Sequence, residues 1–198
     1  EYNPSRYIPL MKEHYSINSF PEEGYPFSKW VIGNEIERNI SKNVINLRLF
    51  AVYGIYENFR QRFISNNICK VLAGGHISLN HDVKFDFIYI DDLCEIVGRV
   101  LKAKVTRFQT YNVCSGKSVK LSKLADIIKE IMKVEAPIII KTSGAQTEYS
   151  GDPSRLVKEF GPIPFTTFEH SIGEMVKYFQ VKFKENNTFK GQILDMDK

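Results

Sequence analysis

Tyr25 and Lys29, four positions apart, are the two residues of this sequence whose types and spacing best suit proton transfer. On a helix, positions i and i+4 share one face. A nearby ammonium favours the phenolate form of a phenol, which prepares the tyrosine for acid–base chemistry. The lysine can also donate hydrogen bonds to sugar hydroxyls. The spacing is equally compatible with a partly buried tyrosine beside a solvated lysine, so the rest of the sequence has to decide between them.

The residues around this pair predict a helix followed by a strand. Pro26 fits the first turn of a helix, where its missing N–H loses no hydrogen bond, and apolar residues at helical spacing extend the helix to about Ser41. Residues 1–24 are polar and lack periodicity, so we expect an irregular surface segment. Residues 43–53 are apolar and β-branched, and they predict a strand of a covered, parallel sheet.

The remainder of the sequence alternates between strand and helix patterns, which predicts the α/β fold class. Strand patterns cover residues 77–79, 85–90, 111–113 and 137–141, and helix patterns cover residues 57–74, 93–104, a stretch capped by Ser122, and a stretch opened by a capping box at 166–169. Asp91 and Asp92 are well placed to stabilise a helix N-terminus, and Ser115-Gly116 predicts a turn. Residues 181–198 are expected to form a polar tail.

The composition excludes several classes of protein. Of 198 residues, 43% are hydrophobic and 25% are charged, and the net charge of +4 comes from dispersed lysines and arginines. This pattern disfavours nucleic acid as a partner and is compatible with a phosphorylated ligand. Three cysteines without CxxC spacing and four scattered histidines predict neither a disulfide framework nor a metal site. No apolar run approaches the ~18 residues of a membrane span, so we expect no membrane partner and a cytoplasmic location.

Five segments, in the same order along the chain, resemble one family. They are Tyr25 with Lys29 (YxxxK), residues 47–54 (LRLFAVYG), residues 86–92 (DFIYIDD), residues 111–116 (YNVCSG) and residues 151–161 (GDPSR to Gly161). Together they are similar to the extended short-chain dehydrogenase/reductases, which are NAD-dependent epimerases and dehydratases of nucleotide sugars. The resemblance covers roughly residues 9–179.

The resemblance implies a fold and a set of roles. It implies that residues 1–180 form the C-terminal part of a Rossmann-type parallel sheet plus a small mixed α/β substrate-binding region. Tyr25 would be the acid–base and Lys29 would hold the nicotinamide ribose of NAD or NADP. Phe50 and Val52 match positions beside the nicotinamide, and ordinary strand core is the alternative for both.

A glycine-rich GxxGxxG turn, which holds the dinucleotide pyrophosphate in this family, does not occur in this sequence. We therefore expect the sequence to be the C-terminal part of an enzyme that lacks its cofactor-binding half. On this interpretation the 198 residues alone would be inactive and would bind no cofactor. NAD and NADP cannot be distinguished without the missing motif.

Two departures from the family pattern concern the substrate. Many relatives carry Asn where Ala51 stands and Arg where Phe85 stands, and both of those side chains hold the substrate's diphosphate. We expect the charge or hydrogen bonds to come instead from the predicted helix over residues 57–74, whose candidates are Arg60, Arg62, Asn66 and Lys70. A solvated helix surface is the alternative for each of them.

Two functions from different classes follow. The first is an NAD(P)-dependent epimerase, dehydratase or reductase of a nucleotide-sugar-like substrate, with hydride transfer at a secondary alcohol or ketone and Tyr25 moving the proton. The second is a non-catalytic sugar- or nucleotide-binding module of the same fold. Relatives pair through helices, so the helix after Lys29 suggests a homodimer, with burial against its own core as the alternative.

Overall fold

The computed structural model describes residues 2–18, 20–22, 24–38, 43–142, 144 and 147–194. The helices are α1 (Gly24–Glu37), α2 (Phe63–Leu72), α3 (Ile90–Lys102), α4 (Leu121–Met132), α5 (Ser154–Phe160), α6 (Phe168–Glu185) and α7 (Asn187–Leu194). The strands are β1 (Asn46–Leu49), β2 (Ala51–Tyr53), β3 (Ile77–Leu79), β4 (Lys84–Tyr89), β5 (Thr110–Val113), β6 (Ser118–Lys120), β7 (Ile138–Ile140) and β8 (Glu148–Tyr149). Two short 3₁₀ helices cover Pro4–Arg6 and Glu13–Asn18. Within these described ranges, no helix has the length and apolarity needed to cross a membrane.

The chain forms two compact units, and each of them draws on three separate stretches of sequence. The first unit comprises Glu1–Val52, Lys84–Ser118 and Thr147–Phe165, and the second comprises Tyr53–Val83, Val119–Gln146 and Thr166–Lys198. Both units contain parallel strand pairs and helices. The predicted α/β class is therefore confirmed.

The first unit is built around the parallel pair β1 and β5, in which Leu47 lies opposite Tyr111 and Leu49 lies opposite Val113. All four residues of β5 are buried. Buried residues of β4, α3, β5 and α5 form one apolar cluster: Ile88, Ile96, Val100, Tyr111, Val113 and Leu156. A parallel pair needs covered faces, and α5 packs against β5.

The predicted strand over residues 43–53 is interrupted at Phe50. β1 ends at Leu49, and β2 begins at Ala51 in a different sheet. The backbone N–H of Phe50 still donates to the carbonyl of Val113 at 3.2 Å. A change of sheet within a continuous apolar run leaves no trace in the hydrophobic pattern, because apolar residues continue on both sides of Phe50.

Residues 2–18 were expected to be an irregular surface segment, and the structure shows instead that they contribute to the core. Tyr2, Met11, Glu13 and Ser16 are buried, and Met11 N donates to the carbonyl of Ser150 at 2.9 Å. This segment is built from short 3₁₀ helices, whose period differs from that of an α-helix. The periodicity on which the expectation depended is therefore missing for a structural reason.

The second unit combines the parallel pair β3 and β7 with helices. Ile77 lies opposite Ile138 and Leu79 lies opposite Ile140. α2, α4 and α6 pack against one another, and their apolar faces form the interior of this unit. Its fully buried aliphatic side chains include Ile64, Ile68, Ile77, Leu124, Ile128 and Ile172.

The expected polar tail from residue 181 is helical as far as residue 194. α6 continues to Glu185, and α7 follows, with Phe189 and Ile193 buried. The ring of Phe189 stacks on Phe179, with the ring centres 6.1 Å apart. The two buried side chains of Phe189 and Ile193, in an otherwise polar stretch, are enough to hold α7 on the second unit.

Two helix starts differ from the prediction. Ser122 is not a cap, because α4 already begins at Leu121, and the N–H and Oγ of Ser122 each donate to the carboxylate of Asp82 at 2.9 Å. For α6 the N-cap is Thr167, one residue later than the predicted capping box, and its side chain accepts from the N–H of His170. Both corrections concern hydrogen-bond partners rather than the existence of the helices.

α2 begins at Phe63 rather than at residue 57, and Glu57 stabilises its start from outside the helix. The N-cap residue, Arg62, makes no side-chain capping bond. Instead, the N–H of Ser65 in the first turn of α2 donates to Oε1 of Glu57 at 3.2 Å. Burial raises the pKa of the Glu57 carboxyl above its ordinary value, and the hydrogen bonds from Ser65 oppose that rise.

The raised pKa of Glu57 predicts how stability depends on pH. Between the ordinary pKa of a glutamate and the raised one, the folded state holds a proton that the unfolded state has released, so this carboxyl contributes less stability as pH rises. We expect Glu57→Gln, which keeps an acceptor oxygen but cannot ionise, to gain stability relative to the wild type as pH increases from 4 to 7. Urea unfolding midpoints across this range measure the difference.

Glu174→Gln is the control of opposite sign. A hydrogen bond from Lys177 lowers the pKa of Glu174, so its contribution is present above the ordinary pKa and is lost as pH falls. Removing that carboxyl should therefore lose stability relative to the wild type as pH rises. Parallel curves for Glu57→Gln and the wild type would contradict the assignment of Glu57.

Candidate active site

Tyr25 and Lys29 lie together at the start of α1. The Nζ of Lys29 is 5.6 Å from the centre of the Tyr25 ring, so the ammonium lies against the aromatic face. Tyr25 is 76% exposed, and Lys29 is exposed as well. Pro26 occupies the first turn of the helix, and the Oγ of Ser28 donates to the carbonyl of Tyr25 at 2.8 Å. A phenol and an ammonium are thus presented side by side on one exposed helix end.

α1 is attached to the first unit by polar contacts at two points. The indole N–H of Trp30 donates to the carbonyl of Ser16 at 2.7 Å. At the other end of the helix, Oε1 of Glu37 lies 3.1 Å from Nη2 of Arg48. Trp30 directly follows Lys29, so the first of these contacts fixes the helix beside the candidate acid–base pair.

Beneath β5, buried polar groups form a hydrogen-bonded cluster. Glu13 Oε1 accepts from the N–H of Asn112 at 3.0 Å, and the carbonyl of Glu13 accepts from Nη1 of Arg48 at 2.6 Å. The hydroxyl of Tyr2 donates to Oδ1 of Asn112 at 2.6 Å. Burial raises the pKa of Tyr2 to about 12, so this buried tyrosine is a structural hydrogen-bond donor and not an acid–base candidate.

Phe50, a predicted neighbour of the nicotinamide, lies in an aromatic cluster of the first unit. It is 7% exposed and packs with Tyr2, Met11 and Cys114. Its ring centre lies 4.7 Å from that of Tyr149. This placement matches the alternative of ordinary core for Phe50. Val52 is half-buried in β2.

Cys114 belongs to the same aromatic cluster. Burial raises the pKa of its thiol, so the reactive thiolate is disfavoured and the side chain acts as a packing group. Gly151 approaches so closely that a Cβ built there would lie 2.5 Å from the ring of Phe50 and 2.7 Å from the sulfur of Cys114. No side chain larger than hydrogen fits at this position without movement.

Asp86 holds the predicted turn at Ser115 and Gly116. Its Oδ1 accepts from the N–H of Ser115 at 2.8 Å and from Oγ of Ser115 at 2.6 Å, and its Oδ2 accepts from the N–H of Gly116 at 2.8 Å. Burial raises the pKa of Asp86, and these hydrogen bonds oppose the rise. Gly116 has a φ of 76°, a conformation that favours glycine. The turn after β5 is thus fixed by a buried carboxyl group of β4.

Ala51 and Phe85, the two departures from the family pattern, provide apolar surface in the first unit. Ala51 is half-buried in β2 and Phe85 is half-buried in β4. The ring of Phe85 contacts those of Phe87 and Tyr149, with centres 5.9 and 6.2 Å apart. Neither side chain can donate a hydrogen bond, as expected from the sequence.

The four polar substrate candidates belong to the second unit, and the structure divides them into two groups. Arg60 and Arg62 are exposed and precede α2, so the prediction that they lie within a helix is wrong. Asn66 and Lys70 lie in α2, and their donors are engaged within the unit. Nδ2 of Asn66 donates to the carbonyls of Phe59 and Arg60 at 3.0 and 3.3 Å, and Nζ of Lys70 donates to Oγ of Ser78 at 3.0 Å.

A cavity of about 820 Å³ in the first unit lies away from the strand ends expected to bind a ligand. Its wall includes Ile45, just before β1, and Thr110, the first residue of β5. It therefore lies at the amino ends of these parallel strands. In open α/β sheets ligands bind at the carboxyl ends, so the cavity is not assigned to the candidate active site.

The residues that sequence reasoning missed are the buried polar ones, Glu13, Asn112 and Arg48. The two partners of Arg48, the carbonyl of Glu13 and the carboxylate of Glu37, are distant in sequence and leave no pattern. Glu13 lies in a stretch without periodicity, and Asn112 lies within an otherwise apolar strand. Among the described residues, no group of three His, Cys, Asp or Glu side chains could hold a metal ion.

Comparison with known proteins identifies one family model and two curated relatives that match this chain. Residues 2–114 match the family model described as the NAD dependent epimerase/dehydratase family. An ADP-L-glycero-D-manno-heptose-6-epimerase of Brachyspira hyodysenteriae is 25% identical over 128 residues, which are 62% of this chain and 40% of the relative. A GDP-6-deoxy-D-talose 4-dehydrogenase of Aggregatibacter actinomycetemcomitans is 24% identical over 169 residues, 82% of this chain and 57% of that protein. The chain thus spans about half the length of these relatives.

Solved structures of low sequence identity show the same fold. The dTDP-glucose 4,6-dehydratase of Bacillus anthracis in complex with NAD superimposes with a TM-score of 0.74 at 18% identity, over 97% of this chain and 61% of that chain. The UDP-glucuronic acid 4-epimerase of Bacillus cereus in complex with UDP-glucuronic acid and NAD has a TM-score of 0.73 at 18% identity, over 91% and 60%. The fold of this chain therefore extends across the segments that carried the sequence resemblance.

Proposed function

The chain belongs to the NAD dependent epimerase/dehydratase family, and from that premise we propose that the whole protein transfers hydride at a secondary alcohol or ketone of a nucleotide-linked sugar. The observation that carries the proposal is the Tyr25–Lys29 pair, whose ammonium lies 5.6 Å from the phenol ring within the family-matched residues. Epimerisation, dehydration and simple reduction all begin or end with this step. The names of the relatives support a nucleotide sugar as the substrate class.

The residues present fit the nicotinamide end of the cofactor. Lys29 is an exposed donor suited to ribose hydroxyls, and it sits one helical turn from Tyr25, so one helix can bind the ribose and move a proton next to it. Bound NAD(P) would supply the hydride acceptor or donor. The sequence has no glycine-rich turn, and we assign no residue of this chain to the pyrophosphate.

Tyr25 carries the proton transfer in this mechanism. As hydride leaves the carbon of a secondary alcohol, the phenolate oxygen of Tyr25 accepts the hydroxyl proton and a carbonyl forms; in the opposite direction the phenol returns the proton. Lys29 lies one helical turn away, with its ammonium 5.6 Å from the centre of the Tyr25 ring. The exposure of Tyr25 allows a substrate hydroxyl to reach its oxygen directly.

For the substrate's diphosphate we propose the exposed guanidinium groups of Arg60 and Arg62. A planar guanidinium can bind two phosphate oxygens at once. Asn66 and Lys70 remain candidates beside these arginines, and each also donates a hydrogen bond within the second unit. Phe50 and Val52 remain the proposed neighbours of the nicotinamide; Phe50 is buried and Val52 is half-buried.

A second candidate function is a non-catalytic sugar- or nucleotide-binding module. The exposed guanidinium groups of Arg60 and Arg62 favour it, since they can bind the phosphates of a nucleotide without any redox step. Two assays on the whole protein separate the candidates: equilibrium binding of NAD(H) and of a panel of nucleotide sugars, and reduction of NAD(P)⁺ or conversion of the sugar. Turnover supports the enzyme, whereas sugar binding without cofactor binding or turnover supports the module.

Lys29→Met tests the proposed ribose contact. Hydrogen bonds from a charged donor contribute about 1.5–3 kcal/mol, so the variant should weaken NAD(H) binding by about 10–100-fold. Lys29 is exposed, so the fold should be unaffected. Isothermal titration measures the affinity, with Lys123→Met, an exposed lysine of α4, as the matched control. Equal affinities of both variants and the wild type would remove Lys29 from the cofactor site.

A further inference from the structure

α1 carries the candidate acid–base pair, yet little of its own surface is buried. Among its described residues only Gly33 is buried, and the apolar side chains of Phe27, Val31 and Ile32 are exposed. Most helices are held in place by an apolar face packed against the core. Apolar burial therefore does little to set the position of α1, and its polar attachments become decisive.

Both polar attachments of α1 lead to the same 3₁₀ helix, Glu13–Asn18. Near Tyr25 and Lys29, the indole N–H of Trp30 donates to the carbonyl of Ser16 at 2.7 Å. At the far end, the carboxylate of Glu37 pairs with Arg48, whose other terminal nitrogen donates to the carbonyl of Glu13 at 2.6 Å. The 3₁₀ helix Glu13–Asn18 therefore supports α1. The guanidinium of Arg48, a residue of strand β1, binds both this 3₁₀ helix and α1.

We infer that Arg48 is a positioning residue for Tyr25 and Lys29, acting through Glu37 and through the 3₁₀ helix that receives Trp30. The inference rests on the proposed function for its effect on turnover, and on the structure alone for its effect on α1. Arg48 touches neither member of the pair. It sets where the helix that presents them lies.

The guanidinium is suited to this role by its shape and its surroundings. Arg48 is 6% exposed, and its planar fork directs Nη1 to the carbonyl of Glu13 and Nη2 to the carboxylate of Glu37. Its Cζ lies 5.5 Å from the centre of the Tyr2 ring, which restricts the fork further. A lysine has one terminal nitrogen at the end of a flexible stem, so it cannot reproduce two donors at fixed, separate positions.

Trp30 is the only tryptophan of the 198-residue chain, and its emission reports the attachment of α1 without any assay of activity. In Arg48→Lys we expect the emission of Trp30 to move to longer wavelength and its quenching by acrylamide to increase at least twofold. The reason is that Arg48 no longer holds the 3₁₀ helix whose Ser16 carbonyl accepts the indole hydrogen bond. Hydrogen exchange of peptides covering α1 should accelerate in parallel. In the whole protein kcat should fall about 10–100-fold, with KM for the sugar little changed, as expected when a catalytic group is misplaced.

Arg99→Lys is the matched control. Arg99 is another arginine of the first unit, and its guanidinium donates to the carbonyls of Phe160 and Pro162 at 3.1 and 2.8 Å, with no part in the attachment of α1. This variant should leave the Trp30 emission unchanged. Glu37→Gln breaks the same ion pair from the more accessible side and should shift the emission in the same direction as Arg48→Lys, which keeps the test decisive if the buried variant does not fold.

The outcomes are distinct. Wild-type emission, quenching and exchange in both Arg48→Lys and Glu37→Gln would overturn the positioning role, whatever the activity. A shifted emission with unchanged kcat would overturn the link between the position of α1 and catalysis. A shifted emission in a protein whose wild type transfers no hydride would support the placement of α1 by Arg48 and would contradict the proposed function alone.

Discussion

Replacing Tyr25 with phenylalanine should lower turnover of the whole protein by about 10²–10⁴-fold, the range that a positioned acid–base group supplies. The substitution removes one hydroxyl from a side chain that is 76% exposed, so no buried hydrogen bond is lost and the fold should be unchanged. Binding of NAD(H) and of the sugar should persist, because the ring and Lys29 remain. Steady-state kinetics give kcat, and circular dichroism verifies the fold.

Tyr56→Phe provides the comparison. Tyr56 is 84% exposed and lies in the second unit, and its ring meets that of Tyr178 edge-on with centres 5.7 Å apart. It loses the same hydroxyl from an equally accessible position and should retain wild-type turnover. If Tyr25→Phe were as active as Tyr56→Phe, Tyr25 would not be the acid–base, and the pair at the start of α1 would have to be interpreted as an ordinary exposed contact.

Gly151→Ala should be the most destabilising single-methyl change in the first unit. The added Cβ would lie 2.5 Å from Cζ of Phe50 and 2.7 Å from Sγ of Cys114, and both of these side chains are buried. The backbone cannot readily move aside, because the following N–H, that of Asp152, donates to the carbonyl of Met11 at 2.9 Å. Overpacking of this kind costs about 1–3 kcal/mol, and urea unfolding measures the loss.

Gly98→Ala is the control for the added methyl group. Gly98 lies in α3 of the same unit, and a Cβ there would meet no atom within 4 Å. Alanine is favoured over glycine in a helix by up to about 1 kcal/mol, so this variant should be as stable as the wild type or more stable. Equal unfolding midpoints for the two variants would mean that the aromatic cluster around Phe50 is loosely packed.

The helices and strands that could be predicted from the sequence are those whose apolar residues follow one regular pattern of burial. The helical stripes of α4 and α6 and the strand at 111–113 appear close to where they were expected, because each helix buries one continuous stripe and every residue of β5 is buried. The last helix was missed because its burial depends on two residues, Phe189 and Ile193, in a polar stretch. The start of α2 was placed too early, since Glu57 supplies the capping acceptor from outside the helix.

In the candidate site, features that depend on local spacing could likewise be predicted, and those that depend on long-range contacts could not. The Tyr25–Lys29 pair could be found because its chemistry depends on a local spacing along one helix. The pairing of Arg48 with Glu37 and with the carbonyl of Glu13 depends instead on a fold that brings residues 13, 37 and 48 together. The hydrogen bonds from the amide of Asn66 to the carbonyls of Phe59 and Arg60, before α2, could not be predicted from the sequence either. Long-range hydrogen bonds of this kind leave no periodic signal.

The division of each unit among three stretches of sequence has a consequence for how the chain acquires its structure. In the first unit the N–H of Leu10 donates to Oγ of Ser150, 140 positions away, and the strand pair β4–β8 also joins distant stretches. Contacts of such high sequence separation slow folding, because the intervening chain must be ordered before they form. During synthesis the aromatic cluster around Phe50 cannot close until Tyr149 and Gly151 have left the ribosome. The apolar side chains of this cluster therefore stay uncovered until residues 149–151 have emerged, and transiently exposed apolar surface of this kind makes a partly folded chain prone to aggregation.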